Sequence, residues 1–594
     1  MYIPQKTVCK HSKPFWSKQL STLSQALQKA QTNFKYRSDP RNKEVLQHAK
    51  SAFQESLISE KNSWIHNKLE GLNTKQSIDF WKRYKKQFVK KGNNHIGHIF
   101  TDMNKLNLTF DDAKKEEILY NTFFTGQHLQ RLQQDVEHCS HIDAEVETLK
   151  QTNWGLDGDN ASLVEPEETS PHDMDTEELC AEFLNQHISY EEVCDSIKVQ
   201  KTASKCNDGD GFHPLILKKL PPAAIEYLTY LFNRVFSTGE WAWDKSMVTF
   251  IKKADKDSYL LPGSYRPITI ASYVGKIFER ILQKRLILYC QKKNIIDPSQ
   301  EGFLPRKNTT RYLYKMTAAV EEARRRRLST MLLFLDFEKA FDSVPISALI
   351  FKLNMYGVSG PFLQIIHAFL TSRQITLKVN DFIGPTRRTG LFGLPQGSVL
   401  SPLLFIIYVS DLLSHDSLPS DLSGDIQAFK YADDGTVLVA EKSTTEAYQV
   451  MKKVCDYLAV WCSKWGLLIN CNRNKTEVII IKSKDSANTV IPKLSIGGNT
   501  IEYVEKSKVL GVLVDHQIKF DFQARAVLSK CWNEWHRLSL GTTRKRGLNN
   551  SSLAIIFKTA VLTKLMYAAP VWLANNVNVF NNLWARVLLK VTGS

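Results

Sequence analysis

Two adjacent acids between apolar segments constrain this chain more than any other feature. Asp433 and Asp434 lie between the mostly apolar residues 426–430 and 436–440. The dipeptide Asp434-Gly435 is typical of a hairpin turn, so we predict two strands joined there. Successive strand side chains point to opposite faces, and only a turn lets both carboxylates approach one site. Because such carboxylates repel, the pattern favours a divalent cation, Mg²⁺ by default; a solvated surface turn is the alternative.

A third acid ends another apolar run. Residues 331–337 are apolar apart from Asp336, which is the pattern of a buried central strand. A carboxylate buried there is costly unless it meets a cation, and a metal shared with Asp433 would supply one. Lys339 is the competing ion-pair partner. Three acids on neighbouring strands predict a two-metal site for phosphoryl transfer, in which the ions bind the attacking and leaving oxygens.

Three segments, two of which contain these acids, resemble the motifs of a known family. Residues 334–344, 393–398 and 431–434 are similar in sequence and order to motifs of reverse transcriptases, most of all those of non-LTR (LINE-like) retrotransposons. The resemblance covers about residues 188–515, and three motifs in order are far more specific than one. It implies an α+β right-hand polymerase with fingers, a palm on an antiparallel sheet, a helical thumb and a helical N-terminal extension.

The resemblance also assigns catalytic roles. Asp336, Asp433 and Asp434 become the catalytic acids that hold two Mg²⁺ ions, for which Mn²⁺ could substitute. Lys475 is the candidate general acid for the pyrophosphate leaving group, with a structural ion pair to Glu477 as the alternative.

Four further residues match positions where the family binds the incoming dNTP: Lys253, Arg266, Phe341 and Gln396. Arg266 can bind phosphate oxygens through two hydrogen bonds, and Lys253 is either a point charge for phosphate or a solvated surface lysine. Gln396 borders the nascent base pair in the family. Phe341 follows Asp336 by five residues, where the family places a ring beneath the sugar and RNA-dependent RNA polymerases usually carry an acid. The alternative for Phe341 is an ordinary core aromatic.

Charge is distributed unevenly along the chain, which carries a net charge of +17. Residues 1–100 hold 19 Lys and Arg against 6 Asp and Glu, whereas residues 133–196 hold 18 acids and one base. The basic part predicts a polyanionic partner, and the acidic part predicts a solvated linker. The predicted domains are a basic helical arm (1–132), an acidic flexible linker (133–185), a helical N-terminal extension of the fingers (186–233), fingers and palm (234–515) and a helical thumb (516–594).

Cysteine usage and hydropathy limit the kinds of site and the cellular compartment that we expect. The ten cysteines form no Cys-x-x-Cys pair, so we expect neither a zinc knuckle nor a disulfide framework. We find no signal peptide and no apolar run of about 18 residues, and expect an intracellular protein of the cytoplasm or nucleus with no membrane partner. The family usually carries an endonuclease before the first residues matched here and further modules after the last, so we expect a truncated element.

The sequence therefore predicts an RNA-directed DNA polymerase that serves retrotransposition. Its expected partners are an RNA template, a DNA primer and dNTPs. Two alternatives stay open: an intron maturase-type polymerase, and a catalytically inactive, domesticated nucleic-acid-binding remnant of a retroelement.

Overall fold

A computed structural model describes most of the chain, which divides into two compact units. One unit comprises residues 94–519, and the other comprises residues 1–93 with 520–594. The described residues are 17–36, 39–70, 96, 99–100, 108–109, 111–125, 134–152, 154, 181–200, 210–253, 258–414, 418–419, 422, 424–482, 490–539 and 550–592.

The secondary structure is mixed α and β, as the sequence predicts. The strands are β1 Ile99–Phe100, β2 Leu108–Thr109, β3 Lys245–Lys252, β4 Tyr265–Ile270, β5 Ser329–Leu335, β6 Gln374–Val379, β7 Phe382–Arg388, β8 Asp425–Tyr431, β9 Asp434–Glu441, β10 Glu477–Ile481, β11 Ser495–Ile496, β12 Asn499–Thr500, β13 Glu502–Tyr503, β14 Lys506–Val509 and β15 Val512–Asp515. The α-helices are Lys18–Tyr36, Pro40–Glu70, Asp112–Phe124, Val136–Gln151, Ala181–Asn185, Tyr190–Val199, Pro214–Leu217, Pro222–Thr238, Tyr273–Lys292, Thr309–Arg325, Ala340–Ser343, Ile346–Met355, Gly360–Thr371, Ser401–Tyr408, Thr444–Trp465, Asp521–Ser539, Asn550–Ile556, Leu562–Met566, Ala569–Trp572 and Asn581–Thr592. Short 3₁₀ helices span Pro262–Ser264 and Ala574–Phe580, and a π-helix spans Phe557–Val561.

A five-stranded sheet forms the centre of the larger unit, in the order β13-β10-β5-β9-β8. Every residue of β5 is buried, as its apolar run predicts, because strands flank both its edges and the helices Thr309–Arg325 and Thr444–Trp465 pack against it. The sheet is antiparallel as predicted, except that β10 and β13 run parallel. This arrangement leaves the end of β5 beside the turn between β8 and β9.

A second sheet has the order β4-β3-β6-β7 and carries the predicted phosphate-binding cations. The helix Asp112–Phe124 packs against it, and Phe123, Phe250 and Tyr265 are buried in their shared core. Because Tyr265 is buried, the strand alternation turns Arg266 outward.

The N-terminal part of the predicted acidic linker contains a folded helix. Val136–Gln151 begins with an Asp135 cap, and its Ile142, Val146 and Leu149 are buried in the main core. These apolar residues recur at helical spacing on one side of the helix, a pattern that the many acids around them obscured. Residues 155–180 of the linker lie outside the described residues.

The smaller unit is helical where the structure describes it. In the helix Lys18–Tyr36, Leu20 is buried and Leu23 and Leu27 are half-buried on the same side, as their spacing predicts. Trp16 and Trp81, which the sequence also placed on helices, lie outside the described residues. None of the helices that the structure describes is both long and apolar enough to cross a membrane.

We predict that, in the buried ion pair between Lys352 and Asp411, replacing Asp411 costs more stability than replacing Lys352. The Lys352 ammonium lies 2.6 Å from an Asp411 oxygen and 3.8 Å from the ring centre of Trp465, and burial lowers its pKa to about 8. Asp411→Asn leaves a buried cation without its carboxylate and should cost about 3–5 kcal/mol of unfolding free energy. Lys352→Met should cost clearly less, because the Asp411 side chain is 29% exposed and can be hydrated. Thermal unfolding of both variants checks this order, and equal losses would contradict it.

Candidate active site

The three candidate acids lie at one end of the central sheet. Strand β5 pairs with β9 so that Leu335 is opposite Gly435, which places Asp336 beside the start of β9. Asp434 is the first residue of β9 and pairs with Tyr431 at the end of β8. The hairpin turn is therefore Ala432-Asp433, two residues earlier than the predicted Asp434-Gly435.

A distant segment fixes that turn. The Gln300 side-chain oxygen accepts hydrogen bonds from the backbone N–H groups of Ala432, at 2.9 Å, and Gly302, at 2.8 Å. A Cβ on Gly302 would lie 2.6 Å from the Ala432 nitrogen, so glycine is needed for this approach. Ala432 adopts a positive φ of 57°, a conformation that these contacts help to hold. Sequence analysis had not identified Gln300 as a support of the site.

Asp336 is held by two side chains of the loop before β10. Its carboxylate accepts hydrogen bonds from Lys475 Nζ and from Asn470 Nδ2, both at 3.1 Å. The alternative pairing of Lys475 with Glu477 is not found, because the Glu477 carboxylate accepts a hydrogen bond from Ser507 at 2.6 Å. Lys339, the competing partner of Asp336, instead donates to the Thr122 carbonyl at 2.6 Å.

A cavity of about 240 Å³ joins these groups to the hairpin β14–β15. Asp336, Asp434 and Lys475 lie on one part of its wall, and residues 507–511 form another. Residues 508–512, which form the centre of this hairpin, resemble the family segment that grips the primer end. Acids, an ammonium group and this hairpin therefore share one space.

The predicted phosphate-binding cations lie at one end of the β3–β4 pair. Arg266 is exposed opposite Ile251, and its charge opposes the rise that burial causes in the pKa of Asp433. Lys253 directly follows β3, and its ammonium donates to the Gly263 carbonyl at 2.9 Å. The sheet thus places both cations together, with Arg266 within electrostatic reach of the acids.

Gln396 is linked to Phe341 through Asp342, the next residue along the chain. The Phe341 ring is half-buried and stacks on Phe405, with ring centres 4.7 Å apart, which limits its freedom to move. Gln396 Nε2 donates to the Asp342 carboxylate at 2.9 Å, which ties the amide to the residue that follows Phe341 in the chain. Burial raises the pKa of Asp342 to about 6, and the Gln396 hydrogen bond opposes that rise. Sequence analysis had assigned no role to Asp342.

Comparison with known proteins agrees with the motifs. Residues 251–514 match the family model for reverse transcriptase (RNA-dependent DNA polymerase). The probable RNA-directed DNA polymerase from transposon BS of Drosophila melanogaster is 26% identical over 389 residues, which cover 65% of this chain and 41% of that protein. The RNA-directed DNA polymerase from mobile element jockey of the same species is 25% identical over 64% of this chain and 41% of its own length.

Residues 251–514 belong to the reverse transcriptase family, and the relatives they match are of the non-LTR retrotransposon type. The chain spans about two fifths of the length of these relatives. A pol polyprotein from a type-1 element R1 of Bradysia coprophila is 25% identical over 67% of this chain and 38% of that protein. Among solved structures, truncated apo telomerase from Candida tropicalis aligns with 50% of this chain and 59% of its own at 11% identity and a TM-score of 0.33.

Electrostatics at this reverse transcriptase site favour a bound cation. Burial, and then the charges of Asp433 and Asp336, raise the pKa of Asp434 to about 7, against the opposing effect of Lys475. The pKa of Asp433 is also raised, by burial and then by Asp336. Near neutral pH the acids therefore cannot all be ionised without additional positive charge.

The donor set fits the divalent metal that reverse transcriptases typically use. Among the residues that the structure describes, no group of three or more His, Cys, Asp or Glu side chains is placed so that it could hold a metal ion. The three acids nevertheless offer only carboxylate oxygens, the donors preferred by Mg²⁺, and they act on one another's ionisation. Lys475 already places one positive charge at Asp336. The donor atoms of these side chains are therefore of the type that a divalent metal ion such as Mg²⁺ prefers.

We predict that Mg²⁺ binding releases a proton from Asp434. With its pKa raised to about 7, this group is partly protonated in the metal-free protein, and binding requires the carboxylate. Calorimetric titration at pH 7 in two buffers of different ionisation enthalpy should show release of about half a proton, and affinity should rise as pH rises through 7. Asp434→Asn should abolish the release. Wild-type binding without proton release would contradict the prediction.

Proposed function

We propose that this protein is an RNA-directed DNA polymerase that extends a primer 3′-hydroxyl with dNTPs on an RNA template, in the service of retrotransposition. The observation that carries the proposal is the convergence of Asp336, the Ala432–Asp434 turn and Lys475 beside the hairpin β14–β15. Named relatives of similar sequence are RNA-directed DNA polymerases, which supports the same reaction.

We interpret the architecture as a right-hand polymerase. The β5-centred sheet is the proposed palm, the β3–β4 sheet the proposed fingers, and the helices after residue 520 the proposed thumb. The basic residues of the arm, 1–132, are proposed to contact the RNA backbone, since phosphate neutralisation by Lys and Arg supplies sequence-independent affinity.

In the proposed reaction the acids hold the metal ions in position, and the cations neutralise charge on the phosphates. Asp336, Asp433 and Asp434 would hold two Mg²⁺ ions, whose chemistry is to activate the 3′-hydroxyl and to stabilise charge on the phosphates. Arg266 can hold triphosphate oxygens from the exposed side of β4, with Lys253 as a second cation nearby. Lys475 is held at Asp336 by a 3.1 Å contact and can protonate the leaving pyrophosphate. The primer hydroxyl then bonds to the α-phosphorus as pyrophosphate leaves.

Choice of sugar is proposed to depend on Phe341. Its ring is fixed by Phe405 and is only half-buried, so an edge is left for the substrate. A ring against C2′ would leave no space for a ribose 2′-hydroxyl and would offer that hydroxyl no hydrogen bond.

The decisive assay is extension of a primed RNA template with dNTPs and Mg²⁺. Wild-type protein should extend the primer, and Asp433→Ala should reduce extension by at least about 1,000-fold because it removes a proposed metal ligand. RNA binding and thermal stability should change little in the variant.

Asp425→Ala is the matched control. Asp425 is the first residue of β8, the strand that leads to the turn with Asp433, and it pairs with Arg326 at 2.6 Å. Extension by this control should stay near wild type. If wild-type protein binds primed RNA without extending it, the alternative of a catalytically inactive binding protein is supported instead.

Phe341→Val should relax sugar selection while retaining much of the activity with dNTPs. The smaller side chain opens space at C2′, so incorporation of CTP relative to dCTP should rise by about tenfold or more. Single-nucleotide kinetics on one primed template measure the ratio. An unchanged ratio in a stably folded variant would assign Phe341 to the core instead.

A further inference from the structure

One buried carboxylate outside the candidate active site holds the loop that carries Gln396. Glu279 lies on the helix Tyr273–Lys292 and is only 1% exposed. Its Oε2 atom accepts hydrogen bonds from Ser398 Oγ at 2.5 Å, Val399 N at 2.7 Å and Leu400 N at 3.2 Å. Burial raises the pKa of Glu279, and the three hydrogen bonds to Oε2 oppose that rise and hold the loop.

The same carboxylate determines where the next helix begins. The helix Ser401–Tyr408 has no side-chain cap from Leu400, the residue at its N-cap position. Ser398 Oγ accepts from the N–H groups of Leu400, at 3.0 Å, and Ser401, at 3.2 Å, while Glu279 holds Ser398 itself. A negative charge is also favourable at a helix N-terminus. Glu279 therefore caps this helix from a neighbouring element.

The other side of the loop is held independently of Glu279. The Leu394 N–H donates to the Phe341 carbonyl at 2.7 Å, and the Gln396 carbonyl accepts from Thr269 N, also at 2.7 Å. Gly397 has a φ of 120°, and a Cβ there would lie 2.5 Å from the Thr269 oxygen. Backbone contacts to Phe341 and Thr269 thus hold the loop before and at Gln396, and Glu279 holds it after Gln396. There is no space for a side chain at Gly397.

We propose that Glu279 is a positioning residue for nucleotide selection, which acts by holding Gln396 against the nascent base pair. This inference rests on the proposed polymerase function and assigns Glu279 no contact with substrate. Its carboxylate binds Ser398, which lies only two residues after Gln396 in the chain. A shift of Ser398 would therefore move the Gln396 amide as well. A displacement of about 1 Å at such a site can cost on the order of 100-fold in rate.

The test compares Glu279→Gln with a matched control, Glu192→Gln. The amide oxygen can take the place of Oε2, but the substitution removes the negative charge that strengthens all three hydrogen bonds, so the loop should loosen. Glu192 binds Arg285 of the same helix at 2.8 and 2.7 Å and also closes the cap of the helix Tyr190–Val199, and these contacts lie away from the loop. Both variants should lose thermal stability. Glu279→Gln alone should lower kcat/KM for the correct dNTP by about 10- to 100-fold, mainly through KM, and reduce discrimination against mismatched dNTPs.

Ser398→Ala provides a milder variant should Glu279→Gln fail to fold. It removes one donor to Glu279 and one acceptor for the helix N–H groups, and should change KM and mismatch discrimination in the same direction but less. Normal KM and discrimination in stably folded Glu279→Gln, or in Ser398→Ala if the former does not fold, would overturn the proposal. So would an equal change in Glu192→Gln.

A second readout does not depend on polymerase activity. Amide hydrogen exchange of residues 393–401 should accelerate in Glu279→Gln and Ser398→Ala and stay unchanged in Glu192→Gln. If wild-type protein extends no primer but exchange follows this pattern, the polymerase function fails while the loop contact stands. Unchanged exchange in the first two variants would overturn the positioning role whatever the activity.

Discussion

The site depends on one constraint: three carboxylates repel one another in a poorly hydrated environment. Burial and neighbouring charge raise the pKa of Asp434 to about 7, and the pKa of Asp433 is raised for the same two reasons. A protein that keeps such a cluster must hold it by strong backbone structure and balance it with positive charge. In this chain Lys475 supplies one such charge directly at Asp336, and Arg266 supplies another at longer range.

The fold meets this constraint by placing rigid elements around the acids. Strand β5 is buried along its whole length, so Asp336 emerges from the centre of a sheet and not from a mobile loop. Gln300 and Gly302 hold the turn that contains Asp433. The Gln396 loop is held in turn by Asp342, Thr269 and Glu279. Rigid supports of this kind are what preorganised phosphoryl-transfer chemistry requires.

Sequence alone predicted the features that local pattern determines. The apolar run before Asp336 gave a buried strand, Ser189 and Glu192 form the expected helix start, and the order of the three motifs gave the family. Features that depend on distant residues were missed. The hairpin turn falls at Ala432-Asp433 although Asp434-Gly435 is the better turn dipeptide, because Gln300 binds the backbone of Ala432 across 132 residues of chain. Pairing of Lys475 with Asp336 similarly crosses 139 residues, which no local pattern reveals.

The account depends most on the claim that Asp336 and the Asp433–Asp434 turn share divalent metal. Anomalous diffraction from crystals grown with Mn²⁺, a primed RNA template ending in a 3′-deoxy primer, and the next dNTP tests this claim directly. We expect anomalous peaks about 2.1 Å from oxygens of both Asp336 and Asp433, the coordination distance of a hard octahedral cation. A fully bound primer and dNTP with no peak between these carboxylates would contradict it.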